Sequence, residues 1–341
     1  MGAPLQDQDS TGRQLPVYPC ADLVVINGAN QGDSLSFAAE LLLDDVYELS
    51  ENASVSALNF QVAENGQFHI APQTDIGLPG ATLHLDCCVT LMPAHGETIE
   101  ALILVEVDPQ GNVAEIYLHP LAPLTAKTQY SLIGISRKDA TRRMALLGCV
   151  SFSRGTRITT ATGEQKPIET LNIGDRVLTR DGGAQEIRWI GKSTVRATGV
   201  FAPVVITAGA LHNLADLTVS PEHRLFIYQR NDHIGAGRAE LLVRARHLVN
   251  GKTVYKQHGG FVDYYQLLFD DHQIIFAEGI SAETMLVTET TRPVLPKGLV
   301  EKFQTSQPGL PFNEGHATEV PKALLDRPDA AALLRRASSS G

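Results

Sequence analysis

The first half of the chain alternates short apolar runs with turn residues. Runs such as LVVI, VTLM, ALILVEV and AEIYL lie between residues 21 and 147, and turn sequences such as DPQGN and GLPG separate them. Short apolar runs bounded by Gly, Pro, Asn and Asp are typical of β-strands. The pattern predicts a small β-rich domain over residues 21–148, preceded by a flexible N-terminal segment of residues 1–20.

The pattern changes after residue 148. Residues 149–288 contain many short strand-like segments, among them DRVLTRDGG, QEIRWIG and APVVITAG, separated by Gly-rich turns. Their density predicts an all-β domain. Prolines recur every few residues after that point, so we expect residues 289–341 to form an irregular Pro-rich tail with one short helix near DAAALLRR, ordered only where it packs on a domain.

An internal repeat links two parts of the second domain. LNIGDRVLTRDGG at 171–183 and LVNGKTVYKQHGG at 248–260 share Leu-x-x-Gly-x-x-Val-x-x-x-x-Gly-Gly without a gap. Each copy precedes another apolar strand-like segment. Self-similarity of this kind indicates a duplicated supersecondary unit. The repeat therefore predicts a β domain with pseudo-two-fold symmetry.

Length and charge narrow the class of protein. A chain of 341 residues is long enough for two domains. The net charge is -10 and Lys and Arg form no cluster, so nucleic acid is not an expected partner. The chain has no apolar run of the roughly 18 residues that a spanning helix needs, and its N-terminus has no apolar signal-peptide core. We expect a cytoplasmic protein without a transmembrane segment, with export by a route other than Sec as the alternative.

No cofactor or metal site is predicted. The four cysteines form no C-x-x-C pair, and a reducing compartment is the default for a chain this poor in Cys. Six histidines occur in the second half, but none has H-x-x-x-H or H-E-x-x-H spacing. Motifs for nucleotide binding and for a hydrolase nucleophile are also missing from the sequence. The six histidines are His212, His223, His233, His247, His258 and His272.

Two short motifs mark the start and the middle of the second domain. Ser151 precedes Gly155 and Thr156 by four and five positions, and the sequence LTVSPEH places Ser220 three residues before His223. Together with Leu-x-x-Gly-Asp-x-Val in the first copy of the repeat, these motifs make residues 149–288 resemble the Hint fold. That fold is shared by Hedgehog autoprocessing domains and inteins, and the resemblance is strongest to the Hint-domain proteins of bacteria.

The resemblance implies a self-cleaving reaction at the Val150–Ser151 bond. In this family a Cys or Ser that opens the domain attacks the preceding carbonyl, and an N-to-S or N-to-O acyl shift turns the peptide bond into a thioester or ester. Carried over by position, the nucleophile is Ser151. Cys149 is the alternative, because it lies two residues earlier on the same face of a strand and a thiol is the stronger nucleophile.

The family also indicates the groups that move protons. Its Thr-x-x-His motif corresponds to Ser220 and His223, with the hydroxyl kept, and the histidine would polarise the amide and protonate its nitrogen. In the family an Asp or His near the last strands assists, and Asp270, Asp271 and His272 are the candidates here. A carboxylate beside a histidine can orient its ring.

The chain lacks the His-Asn pair with which inteins end, so full splicing is not expected. The resemblance leaves cleavage by water or another small nucleophile, with the protein's own N-terminal domain as the substrate and residues 1–150 as the released part. The alternative is a binding or structural module in which the Hint fold has lost turnover and the N-terminal domain carries the function.

Overall fold

The chain divides into two units, Met1–Ala145 and Leu146–Gly341, each with its own apolar core. The computed structural model describes residues 13–63, 66–232, 234–288, 291–295, 299 and 318–338. The border between the two units follows Ala145, whereas the sequence pattern predicted a border after residue 148. Within the described ranges no helix is both long and apolar enough to cross a membrane.

Nine described strands make up the sheet of the N-terminal unit. They are antiparallel and follow the order β2-β3-β9-β6-β5-β4-β1-β8-β7. β7 also pairs with β6, so β1, β4, β5, β6, β7 and β8 close into a ring. The strands are β1 Arg13–Pro19, β2 Leu23–Asn27, β3 Val46–Leu49, β4 Ser56–Val62, β5 Phe68–Ile70, β6 Thr82–Pro93, β7 Ile99–Val107, β8 Val113–Pro120 and β9 Gln129–Ser136.

The long strand β6 makes this closure possible. One edge of β6 pairs with β5 at its start and with β9 at its end, while the other edge pairs with β7. Alternate residues Cys87, Val89 and Leu91 are buried in the apolar core, as a strand with one face inward requires. The pairing of β6 with β7 shifts its register between Leu85 and Cys87, as at a β-bulge.

The start of the N-terminal unit differs from the prediction. Residues 13–19 were expected in a flexible segment, but they form β1, because pairing with β4 and β8 buries Leu15 and Val17. Residues 1–12 lie outside the described residues. A helix, α1 at Arg137–Gly148, also occurs where the sequence suggested only strands, and it buries an apolar face that includes Ala140 and Met144.

Two larger sheets and one hairpin form the C-terminal unit. The six-stranded sheet has the order β15-β21-β10-β17-β16-β20, and the seven-stranded sheet has the order β12-β11-β22-β23-β18-β19-β24. The hairpin is formed by β13 and β14. The strands are β10 Phe152–Ser153, β11 Arg157–Thr159, β12 Gln165–Pro167, β13 Arg176–Leu178, β14 Ala184–Glu186, β15 Trp189–Arg196, β16 Val204–Ile206, β17 Leu217–Val219, β18 Arg224–Tyr228, β19 Glu240–Arg244, β20 Val254–Lys256, β21 Phe261–Leu268, β22 Ile274–Ala277, β23 Ile280–Glu283 and β24 Thr318–Glu319.

The two copies of the repeat adopt a similar succession of elements, except that the first copy has an additional strand, β14, after β13. Each follows an antiparallel hairpin, β11–β12 or β18–β19, and a 3-10 helix, Ile168–Thr170 or Ala245–Leu248. Each then has a turn glycine with positive φ, Gly174 at 95° and Gly251 at 72°, where a side chain would strain the backbone. The short strands β13 and β20 follow, and then the long strands β15 and β21, which pair with each other. The predicted β domain with pseudo-two-fold symmetry is therefore confirmed.

The predicted tail is not irregular where the structure describes it. Residues 318–338 form β24 and two helices, α2 at Lys322–Leu325 and α3 at Ala330–Ser338, of which α3 was predicted. Val320, Leu325 and Leu334 belong to the main apolar core of the C-terminal unit. Burial of these side chains explains the order, because a segment that packs on a core loses its freedom in exchange for apolar contact.

Replacing Leu334 by Ala should destabilise the C-terminal unit. Its side chain is fully buried in the core, and removing such a side chain costs about 2 to 5 kcal/mol through lost burial and the cavity left behind. Unfolding can be followed by the fluorescence of Trp189, the single tryptophan, which lies in β15 of this unit. Arg336→Ala, at an exposed position of the same helix, is the control. An unchanged transition for Leu334→Ala would show that α3 adds nothing to this core.

Candidate functional site

Strand register brings Ser151 between two polar side chains. Ser151 directly precedes β10, which lies between β17 and β21. Phe152 pairs with Val219 on one side and with Tyr265 on the other, both antiparallel. Antiparallel pairing therefore places the preceding residue, Ser151, beside Ser220 and Gln266. The site is a consequence of this register.

Ser220 binds the peptide unit on both sides of Ser151. The backbone N–H of Ser151 donates to Ser220 Oγ at 3.1 Å, and the Ser220 hydroxyl donates to the carbonyl oxygen of Cys149 at 3.3 Å. The Ser220 N–H donates to the Ser151 carbonyl at 2.9 Å. Ser220 Oγ thus contacts the nitrogen of the Val150–Ser151 bond, and both serine residues are buried.

His223 contacts the carbonyl of Ser151. Its Nδ1 lies 3.1 Å from that oxygen, and its backbone N–H donates to the Ser220 carbonyl at 3.0 Å, which closes the turn between the two residues. The ring packs edge-on against Phe152, with 4.4 Å between the ring centroids. Because a carbonyl oxygen only accepts, Nδ1 carries the hydrogen in this contact. The sequence prediction placed His223 at the amide nitrogen, whereas its hydrogen bond goes to the next carbonyl.

The buried environment keeps the His223 imidazole neutral. Burial lowers its pKa to about 4, although the Ser151 carbonyl and the charge of Glu283 favour the protonated ring. Desolvation of the charged ring lowers the pKa by more than the Ser151 carbonyl and Glu283 raise it. Near pH 7 His223 is therefore an uncharged hydrogen-bond donor through Nδ1, and any proton it takes up is readily given away.

Gln266 holds the Ser151 hydroxyl. Its Nε2 donates to Ser151 Oγ at 2.7 Å, and its side chain is buried. An amide does not titrate, so Gln266 can orient the hydroxyl but cannot accept its proton. Sequence reasoning missed this residue. A signal was present, because Gln266 is the polar residue inside the apolar run YYQLLF, and a polar side chain in a buried strand calls for a partner.

Residues 150–289 match the sequence model of the Hint domain family. The protein carries a Hint domain. The chain is also similar to two solved structures, the gp41-1 intein and a triple variant of the same intein. Their identities are 14% and 16%, they cover 39% of this chain and 97% and 98% of their own chains, and the TM-score is 0.25 for both. No curated protein matches the chain.

Cys149, the alternative nucleophile, lies in an apolar part of the Hint domain. It is buried and packs in a cluster with Leu268, Met285 and Leu295. Its carbonyl, rather than its thiol, accepts the hydrogen bond from Ser220. The Ser151 side chain contacts a polar side chain of the site, that of Gln266.

The three candidates for late proton transfer lie in different surroundings. Asp270 is exposed and binds Arg188 through two hydrogen bonds of 2.9 Å and one of 2.7 Å. Asp271 is exposed. Within the described part of the chain, no hydrogen bond or ion pair joins either carboxylate to Ser151 or His223. The structure therefore does not bring these two residues to the site.

His272 reaches the site indirectly, through Glu283 of the Hint domain. His272 Nε2 lies 2.9 Å from Glu283 Oε1, and Arg224 binds both oxygens of the same carboxylate. Burial alone would raise the pKa of Glu283, but the hydrogen bond from His272 and the charge of Arg224 lower it overall. Glu283 is therefore a buried carboxylate that pairs with Arg224, the residue that follows His223 in the sequence.

The Hint domain shows no metal centre in the residues that the structure describes. No group of three or more His, Cys, Asp or Glu side chains is placed to hold an ion within those residues. Of the six histidines, His233 lies outside the described residues.

The stability of the Hint domain should fall between pH 6.5 and pH 4. An unfolded histidine binds a proton as the pH falls through 6.5, whereas folded His223 stays neutral down to about 4, so protonation favours the unfolded chain across this interval. The full effect of one such group is about 3 kcal/mol. His247, whose pKa burial and Arg246 also lower to about 4, adds in the same direction.

His223→Asn should flatten this pH dependence without abolishing it, because His247 remains. The measurement is the urea midpoint from Trp189 fluorescence between pH 4 and 7.5. His119→Asn is a matched control, because His119 is buried in the N-terminal domain and burial likewise lowers its pKa to about 4. An equal slope in His223→Asn and the unaltered protein would contradict the neutral, buried state of His223.

Proposed function

We propose that the protein cleaves itself at the Val150–Ser151 bond and releases residues 1–150. The carrying observation is the contact of Ser220 Oγ with the amide nitrogen of that bond, while Gln266 holds the adjoining nucleophile oxygen. Three buried polar side chains, those of Ser220, His223 and Gln266, thus converge on one residue. In an N-to-O acyl shift, the acyl group of Val150 moves from the amide nitrogen of Ser151 to its hydroxyl oxygen.

The first step is an N-to-O acyl shift. Ser151 Oγ attacks the Val150 carbonyl carbon, the new C–O bond forms, and the C–N bond breaks. The hydroxyl proton ends on the leaving nitrogen, because an amine cannot leave without one. The products are an ester between Val150 and Ser151 Oγ and a free amino group on Ser151, so atoms and charges balance.

Protons move through the two side chains of the Ser220–His223 turn. Ser220 Oγ already accepts a hydrogen bond from the nitrogen that must gain a proton. His223 supplies an imidazole at the carbonyl of the same residue, Ser151, and its low pKa makes the protonated ring a strong acid once it forms. The same low pKa makes the ring a weak base, so attack by a serine hydroxyl is expected to be slow.

The second step is hydrolysis of the ester. Water adds to the ester carbonyl and expels Ser151 Oγ with a proton, which leaves a carboxylate on Val150 and restores the serine. The N-terminal domain is therefore the proposed substrate and water, or another small nucleophile, the acceptor. One turnover per chain is possible, because the bond is consumed.

Intact-mass spectrometry of freshly purified protein tests the proposal. We expect a fragment ending at Val150, and its yield should increase with hydroxylamine, which cleaves esters. Ser151→Cys should react at least about tenfold faster, since a thiol with a pKa near 8.5 is a few per cent thiolate at pH 7 while a hydroxyl is not ionised. Ser151→Ala and Ser220→Ala should remain intact.

Ser153→Ala is the matched control, because Ser153 is the next buried serine in β10 and should not alter cleavage. A single full-length mass for the unaltered protein and for Ser151→Cys, with and without hydroxylamine, would contradict the proposal. That result would favour the alternative of a Hint module without turnover.

Replacing Gln266 by Leu should slow cleavage by up to about tenfold. The change removes the donor that orients Ser151 Oγ, and one hydrogen bond contributes about 0.5 to 1.5 kcal/mol. Gln229→Leu is the control, since Gln229 is equally buried but binds Asp232 and the Arg238 carbonyl. The rate is measured as the appearance of the Val150 fragment in the presence of hydroxylamine, with Ser151 unaltered so that Oγ is present. Equal rates in both variants would exclude an orienting role for Gln266.

A further inference from the structure

A segment outside the matched family region is built into the Hint domain. The family match ends at residue 289, yet Thr318–Glu319 adds a parallel strand, β24, to the edge of the seven-stranded sheet beside β19. The backbone N–H of Val320 donates to the Leu242 carbonyl at 2.9 Å. Because Val320 also lies in the core, the segment is held by backbone pairing and by apolar contact.

Glu319 joins this segment to two arginines of the Hint domain. Both carboxylate oxygens bind the Arg244 guanidinium, Oε1 through Nε and Oε2 through one terminal nitrogen at 3.0 Å. Oε2 also lies 3.5 Å from a terminal nitrogen of Arg224. A fork-to-fork pair of this kind fixes the orientation of the guanidinium as well as its position.

Arg244 passes this constraint to the turn that carries the site. Its remaining terminal nitrogen donates to Glu222 Oε2 at 2.5 Å, and the other oxygen of Glu222 binds Arg246. Glu222 lies between Ser220 and His223 in the sequence. The backbone N–H of Arg246 donates to the Pro221 carbonyl at 3.0 Å, which ties the same turn to the end of β19.

Arg224 forms the second branch of the network. It follows His223 directly, contacts Glu319, and binds Glu283 through both carboxylate oxygens. Three arginines and three glutamates are thus connected around the turn. Their side chains are buried or partly buried, so each charge depends on its partners. They are Glu222, Arg224, Arg244, Arg246, Glu283 and Glu319.

The contacts of Glu319 show that it is charged at neutral pH. Burial by itself would raise its pKa, but the hydrogen bond and charge of Arg244 lower it below the ordinary value of 4.5. Neutralising Glu319 would leave Arg244 with Glu222 alone, and Glu222 is already shared with Arg246. Arg244 would then be expected to move toward a new partner or toward solvent, and to draw Glu222 with it.

We propose that Glu319 is a positioning residue, which acts through Arg244 and Glu222 to hold Ser220 and His223 against the Ser151 peptide unit. This inference rests on the proposed function only for its effect on cleavage. The geometric part, control of the His223 environment by a residue 96 positions away in the sequence, holds whether or not the bond is cleaved (319 − 223 = 96). Residues 318–338 are accordingly part of the catalytic domain.

The test uses Glu319→Gln, which keeps the shape of the side chain and removes its charge, and Glu319→Asp, which keeps the charge. Asp329→Asn is the matched control, because Asp329 belongs to the same segment but pairs with Arg327 in an exposed ion pair. Leu334→Ala is a second control, which weakens the packing of the segment without touching the network. All variants are made in the full chain.

The first readout is the nitrogen and proton NMR signals of the His223 ring, recorded in a Ser151→Ala background so that the chain stays intact. Comparison with His223→Asn assigns them. We expect Glu319→Gln to shift these signals, Glu319→Asp to restore them in part, and Asp329→Asn to leave them unchanged. Signals that do not move in Glu319→Gln, or that move equally in Asp329→Asn, would overturn the proposal even if cleavage were observed.

The second readout is the cleavage rate in the Ser151→Cys background. Glu319→Gln should be about tenfold slower, and slower than Leu334→Ala at the same residual stability, since only the first disturbs the turn. A rate loss that follows stability alone would overturn the positioning role. If no variant and no unaltered chain cleaves, the proposed function fails, and the NMR comparison still decides whether Glu319 controls the surroundings of His223.

Discussion

The site depends on one constraint, the pairing of Phe152 with two strands at once. Strand β10 is only two residues long, but it lies between β17 and β21, so the backbone at Ser151 is fixed from both sides. A shift of either register by one residue would turn Ser220 or Gln266 to the opposite face of the sheet and remove it from Ser151. The core contact of Phe152 with the His223 ring adds a third fixed point. The polar contacts at the Val150–Ser151 bond follow from the packing of Phe152, an apolar residue beside it.

Burial then determines which chemistry this arrangement can support. In water a histidine is half protonated near pH 6.5, but inside the domain His223 is neutral until about pH 4. The charge of the nearby Glu283 raises the pKa of His223, but the effect of burial is larger and lowers it overall. The proposed acyl shift is therefore expected to be slow, because His223 is a weak base and the side chain at Ser151 Oγ is a glutamine rather than a carboxylate.

Much of this arrangement follows from the sequence, and the remainder has physical causes. The repeat predicted the pseudo-two-fold domain because its glycines adopt left-handed backbone conformations and its leucines and valines are buried in both copies. The resemblance to the Hint fold implied that Ser151, Ser220 and His223 lie together. Gln266 was missed because the polar position in YYQLLF indicates a need for a partner but not which residue that partner is, and Ser151 lies 115 positions away. Asp270 was included because an exposed carboxylate that pairs with Arg188 has the same sequence signature as a functional one. Residues 318–338 were predicted to belong to an irregular tail because prolines recur after residue 288. The sequence alone does not show that Val320, Leu325 and Leu334 are buried in the core.

The network of arginines and glutamates connects residues 318–338 to the Hint domain, although this segment lies far from the rest of the domain in the sequence. Arg224 and Arg244 are neighbours across β18 and β19, and two cations paired in register repel unless carboxylates separate them. Glu283 and Glu222 each neutralise one of them, but Arg246 shares Glu222, and this leaves a deficit of negative charge at the sheet edge. Glu319 fills that deficit at the position where β24 pairs with β19, so the same two residues of strand complete the sheet and the charge balance. The backbone pairing of β24 with β19 and the contacts with Arg244 hold the carboxylate in place, so the turn at Ser220 and His223 depends on a residue that follows the matched family region.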